Sequence, residues 1–194
     1  MANVSRINGF RPSRYLSGAP WNGAATKYAT QAGDATAIFI GDLVKLDGGA
    51  DANGLRTVTQ GTAGAAAVGV VVGIVVDPTT INSAQYRVAS TARYLMVVDD
   101  PNVLFEVQED AVGGALAATS VGLNASAIVG SGSTTTGQSG MQLDTSTAAT
   151  TATLELKIME FVQRPDNEVA TANAKVLVKI NNHQLGSSTG TAGV

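Results

Sequence analysis

From residue 38 onward the chain alternates short runs of branched apolar residues with clusters of Gly, Asp, Asn and Pro, a punctuation that predicts strands rather than helices. The runs are Ile38-Phe39-Ile40, Leu43-Val44-Lys45-Leu46, 55–59, 68–76, 85–88, 93–98, 103–108, 154–163 and 175–181. Between them lie turn signals such as Asp47-Gly48-Gly49, Asn53-Gly54, Asp77-Pro78, Asp99-Asp100-Pro101, Gly113-Gly114 and Arg164-Pro165-Asp166-Asn167. No window carries a helical stripe a dozen residues long. Leu154, Leu156 and Ile158 fall on one face, opposed by Glu155, Lys157 and Met159; Val176, Val178 and Ile180 oppose Lys175, Leu177 and Lys179 in the same way. Such alternation describes half-buried antiparallel strands. Residues 68–76 are apolar on both faces, which places them at the centre of a sandwich or beneath a covering segment, with glycines that permit a bulge or a close approach. Roughly eight or nine short strands at this spacing make an all-β protein, an antiparallel sandwich or barrel that is jelly-roll-like.

Three stretches depart from the pattern. Residues 1–33 hold Arg6, Arg11, Arg14 and Lys27 and no acid, so they carry +4 while the remainder carries −7 of the net −3. Phe10, Tyr15, Trp21 and Tyr28 lie among these cations, broken by Gly and Pro, with no apolar repeat. The segment reads as an extended N-terminal arm with aromatic anchors. It could dock on a partner protein, since Trp, Tyr and Arg anchor interfaces, fold back over its own barrel, or bind nucleic acid, for which four cations are a thin footprint. Residues 111–153 are rich in Ala, Gly, Ser and Thr and read as a long loop or a pair of weak strands that either has a binding role or is mobile. Residues 186–194, small and polar, read as a flexible C-terminal tail unless a neighbour holds them. The expected organisation is therefore an arm at 1–33, a single β domain at 34–185 containing that loop region, and the tail.

Composition narrows the chemistry. Charged residues make up 14% of the chain, against roughly 25% in ordinary soluble proteins. With no cysteine and one histidine, disulfides, thiolate metal sites and histidine-based zinc sites are excluded within one chain. His183 lacks a Gly-x-Ser-x-Gly nucleophile partner and reads as a hydrogen-bonded residue at a strand end. Asp99, Asp100, Glu106, Glu109 and Asp110 could form an acid-base pair or a calcium site, but a turn at 99–102 between strands 93–98 and 103–108 would make a hairpin that sends Asp110 to the far end from Asp99. Asp47-Gly-Gly-Ala-Asp-Ala-Asn-Gly54 lacks the closing glutamate of a calcium loop. Phosphate-loop patterns are absent, the longest near-apolar run is too short and Gly-broken for a membrane helix, and the start has no secretory apolar core. The expectation is a soluble, intracellularly made protein that is not an enzyme, with no catalytic residues, no metal and no cofactor.

Several stretches resemble the capsid cement, or head decoration, proteins of tailed bacteriophages: Asn8-Gly-Phe-Arg-Pro-Ser-Arg-Tyr-Leu-Ser-Gly-Ala-Pro-Trp-Asn22, the segment 90–110, Gln163-Arg-Pro-Asp-Asn-Glu168 and Lys179-Ile-Asn-Asn-His-Gln-Leu185. The resemblance implies an all-β structural protein of the virion, made in the bacterial cytoplasm and bound to the outer surface of the expanded head. There it would bridge neighbouring major capsid protein subunits against DNA pressure, as a homo-oligomer, dimer or trimer, with no membrane and no direct nucleic-acid contact. The residues expected to contact the capsid are Phe10, Arg11, Arg14, Tyr15 and Trp21. The alternative is a tail, fibre or head-fibre adhesion module binding a host-surface carbohydrate through 111–153, against which the dearth of aromatics counts.

Overall fold

A computed structural model of the chain describes residues 3–187 and 189–194. Its strands are β1 (Arg11–Tyr15), β2 (Thr26–Ala29), β3 (Leu43–Ala50), β4 (Arg56–Gln60), β5 (Gly69–Ile74), β6 (Tyr94–Val98), β7 (Val103–Gln108), β8 (Asn124–Ala125), β9 (Ala127–Ile128), β10 (Gln142–Leu143), β11 (Leu156–Phe161) and β12 (Lys175–Ile180). Five of them close a barrel in the order β2-β4-β3-β5-β6, and five form a sheet in the order β1-β7-β12-β11-β8. The β9 and β10 pair makes a separate ribbon. All pairings between these strands are antiparallel except that of β2 with β4, so the fold is the expected antiparallel all-β one. Among the described residues, no helix is long and apolar enough to cross a membrane.

The barrel and the sheet share a wall, which explains the doubly apolar run at 68–76. Val68 and Val71 face the barrel interior with Tyr28, Ile38, Val44, Val58, Leu95 and Val97. Val70 and Val72 face outward, into a larger core shared with Phe105, Val107, Leu156, Ile158, Val176, Val178 and Ile180 of the sheet. Each side of β5 therefore removes branched side chains from water, at about 1.5–3 kcal/mol per fully buried residue. Gly69 lies so close to Val98 that a Cβ there would overlap its carbonyl oxygen. The turn at 99–102 links barrel to sheet: β6 pairs with β2 and β5, whereas β7 pairs with β1 and β12, so these strands do not form the expected hairpin.

The three departing stretches are built into this body. An extended arm is not what residues 3–33 form. Phe10 is 1% exposed in the larger core, β1 pairs with β7 at the sheet edge, and β2 closes the barrel with Tyr28 fully buried inside it. The strands are only five and four residues long, and Pro12 sits on an edge beside a register shift, so neither leaves a readable period. The 111–153 stretch carries β8, β9, β10 and two short 3-10 turns, and buries Leu116, Ala125, Ala127, Met141 and Leu143 in the larger core. Its small residues permit backbone to pack on backbone: a Cβ on Gly130 would overlap the Gly140 carbonyl, and one on Gly132 would enter the Phe39 ring. The tail is held by a neighbour. Asn124 Nδ2 and Asn181 Nδ2 donate to Thr191 O at 2.7 and 3.1 Å, Lys157 Nζ to Ala192 O at 2.9 Å, and Val194 N to Gly122 O at 3.1 Å.

Candidate functional site

Alternation along β7, β11 and β12 sends Val, Leu and Ile into the larger core and leaves a second set of side chains on the outer face of the sheet. Pairing arranges that set in rows across the strands. One row runs Arg14, Leu104, Lys179, Lys157; the next runs Arg11, Glu106, Leu177, Glu160. Beneath the charges lies a small apolar cluster of Leu104, Leu177 and Val162, with Met159 packed against it. Three ion pairs, made by two arginines, lie on this face. Arg14 Nη2 donates to Glu160 Oε1 at 2.6 Å across the two intervening strands, and Arg164 grips both oxygens of Glu106 at 2.9 Å while its Nε reaches Asp166 at 3.2 Å. The Glu106 pairing holds the Arg164 guanidinium above its already high ordinary value, against a smaller effect of burial.

The five residues expected to meet a partner divide on inspection. Phe10 is a core residue, its N–H donating to Gly41 O at 2.9 Å, and it offers no surface. Arg11 is exposed on β1 opposite Glu106, whose carboxylate Arg164 already occupies. Arg14 is half-buried in its pair with Glu160. Tyr15 and Trp21 are half-buried against the larger core. The Tyr15 hydroxyl donates to Asn22 Oδ1 at 2.9 Å, and the Trp21 indole donates to Ala24 O at 3.2 Å. Between them the chain turns back on itself, with Tyr15 N donating to Ala19 O at 2.8 Å and Trp21 N to Ser13 O at 3.2 Å, and presents Leu16 47% exposed. This return also covers much of the outer edge of β1.

The acids singled out in the sequence do not converge. Asp99 accepts from the Tyr28 hydroxyl at 2.8 Å and Thr26 Oγ1 at 2.9 Å, whereas Asp100 caps Asn102 N at 2.8 Å. Glu106 belongs to the outer sheet face. Glu109 is fully buried, accepting from Ala111 N at 2.7 Å and Ala174 N at 3.2 Å, and burial pushes its carboxyl up. Asp110 receives Thr145 N and Oγ1 at 3.1 and 2.9 Å. Asp47 and Asp51 brace their own turn through Gly49 N, Asn53 N and Leu55 N. Among the described residues no group of three His, Asp or Glu is placed to hold a metal ion.

His183 is 2% exposed, and its Nδ1 accepts from Leu185 N at 3.1 Å. Burial pushes the imidazole below its ordinary value, against the opposing charges of Asp99 and Asp100. Glu155, expected on the polar face, is buried, accepting from Ala127 N at 2.6 Å and Gly64 N at 3.0 Å. A hollow of about 230 Å³ beside β6, lined by Thr30, Asp51, Asp77, Arg93 and Tyr94, holds no histidine.

Sequence reasoning missed Lys157, Lys175, Lys179, Arg164 and Glu160 as surface candidates. Their outward direction was readable from alternation, but their convergence is a matter of strand order, which joins β1, near the start of the chain, to β12, near its end. Comparison of the chain with protein-family models, with curated proteins and with solved structures finds no match in any of the three.

Proposed function

We propose that this protein is a cement protein of a tailed-phage head. It binds the outside of the expanded icosahedral shell and bridges neighbouring major capsid protein subunits. The observation that carries this reading is spatial. The segments that bear the resemblance, 8–22, 90–110, 163–168 and 179–185, are scattered along the chain, yet part of each meets on the β1-β7-β12 sheet, while 94–98 stays in the barrel wall and His183 pairs with Ala67. β1, β7 and β12 are consecutive in the sheet, Arg164 is bonded to Glu106, and Leu16 N donates to Asn102 O at 2.7 Å.

The mechanism is a clamp. The shared-wall core fixes the sheet relative to the barrel, so a copy seated across two capsid subunits resists their separation. Engagement of the second subunit is intramolecular once the first is bound, so weak individual contacts suffice. Since only the assembled shell offers both contacts, binding stabilises that state by linkage. Calorimetric scans of shells with and without saturating protein test the clamp: a raised shell melting temperature is expected, and no rise overturns it.

A further inference from the structure

We propose that the outer face of the β1-β7-β12-β11 sheet is the docking surface, and that it receives a protein surface bearing spaced carboxylates. The inference rests on the cement reading, in which that surface belongs to the capsid subunit. The face gathers Arg11, Arg14, Lys157, Arg164, Lys175 and Lys179, six of the chain's twelve Lys and Arg, against Glu106, Glu160 and Asp166, in a protein whose net charge is −3.

The register makes the surplus specific. Lys157 and Lys179 are direct cross-strand partners, an arrangement of like charges that weakens a sheet. The acids that could relieve them are occupied, Glu160 by Arg14 and Glu106 by Arg164. Arg11, opposite Glu106 in register, is left without an ion pair among the described residues. Lys157 Nζ donates to Ala192 O at 2.9 Å, whereas Lys179 and Arg11 have no ion pair among the described residues, so a partner that lays carboxylates beside Lys179 and Arg11 supplies charges that the fold itself does not.

A protein surface fits better than nucleic acid. Glu106 and Glu160 stand in the row next to the lysine pair and would meet the phosphates of a strand laid along the face, whereas discrete carboxylates can be spaced to avoid them.

The test is Lys179→Glu, because docking and stability respond in opposite directions. The substitution places a carboxylate opposite Lys157, so the melting temperature of the free protein should hold or rise. Binding to purified expanded shells lacking the protein should weaken at least about fivefold, a typical effect of reversing an interfacial charge. Lys179→Arg should keep shell binding, and Lys175→Glu, farther along β12, should weaken it by a similar factor. If Lys179→Glu and Lys175→Glu bind shells like the parent, the docking face is wrong and the cement reading stands. Failure of the parent protein to bind shells overturns both. Duplex DNA binding by the parent as tight as its shell binding, and lost in Lys179→Glu, overturns the assignment of the face to a protein partner.

Discussion

Replacing Phe10 by alanine distinguishes a woven N-terminal segment from a free arm. Phe10 is 1% exposed, lies in the larger core with Phe105 and Val107, and follows Gly9, whose φ of +69° lets the backbone pass close to Gly41. Aromatic side chains bury about 150–250 Å². At about 25 cal/mol per Å² the upper bound of the transfer contribution is about 4–6 kcal/mol, and Phe→Ala substitutions in cores cost about 3–5 kcal/mol. A chain of this length shifts its melting temperature by about 2–4 °C per kcal/mol, so a fall of about 10 °C is expected, together with a lower urea midpoint at unchanged slope. Urea unfolding followed by far-ultraviolet circular dichroism, with shell binding measured in parallel, is the assay. A loss below about 1 kcal/mol accompanied by weaker shell binding would show that Phe10 is a partner contact on a loosely held segment, and would refute the burial argument.

Three other substitutions follow from the same packing. Arg87 is fully buried, with Nε donating to Thr91 O at 2.8 Å, Nη2 to Gln31 O at 2.6 Å, Nη1 to Thr36 O, and Asp34 at 3.6 Å. Arg87→Met should cost about 3–5 kcal/mol in chemical unfolding, because it strands three carbonyls and removes the cation beside Asp34. Gly130→Ala should lower stability by about 2–3 kcal/mol, since its Cβ meets the Gly140 carbonyl, which cannot rotate away as a side chain would. His183, held below its ordinary value by burial, binds its proton more readily in the unfolded chain. Stability should therefore fall as pH drops below about 6.5, with a slope no steeper than about 1.4 kcal/mol per pH unit from this group. His183→Asn, which keeps an acceptor for Leu185 N, should flatten that part of the curve in urea titrations across pH.

The sequence was most legible where one face of a strand is buried. Residues 103–108 coincide with β7, and the runs at 154–163 and 175–181 contain β11 and β12, because Val, Leu and Ile alternate there with polar or charged residues. The run at 68–76 was legible as doubly buried but not as a shared wall, which depends on β7, β11 and β12 farther along the chain. β1 and β2 escaped notice because Pro12 and the short lengths erase any period. Ile38-Phe39-Ile40 and the run at 85–88 form only isolated bridges, Ile38 with Arg87 and Ile40 with Gln138, where loops cross the barrel end. In 111–153 the abundance of Gly and Ser suggested looseness, whereas at Gly130, Gly132 and Gly140 it reflects approach too close for a Cβ. Of the candidate site, the cations near the N-terminus were visible in the composition. The opposition of Lys157 and Lys179 was not, because register is a tertiary property.

Co-sedimentation with expanded shells lacking the protein, run alongside duplex DNA across a salt series, tests the central claim most directly. Saturable shell binding, at a stoichiometry fixed by the lattice and persisting at salt that abolishes DNA retention, is the predicted result. Binding to DNA alone that collapses with salt, or binding to neither, would contradict it.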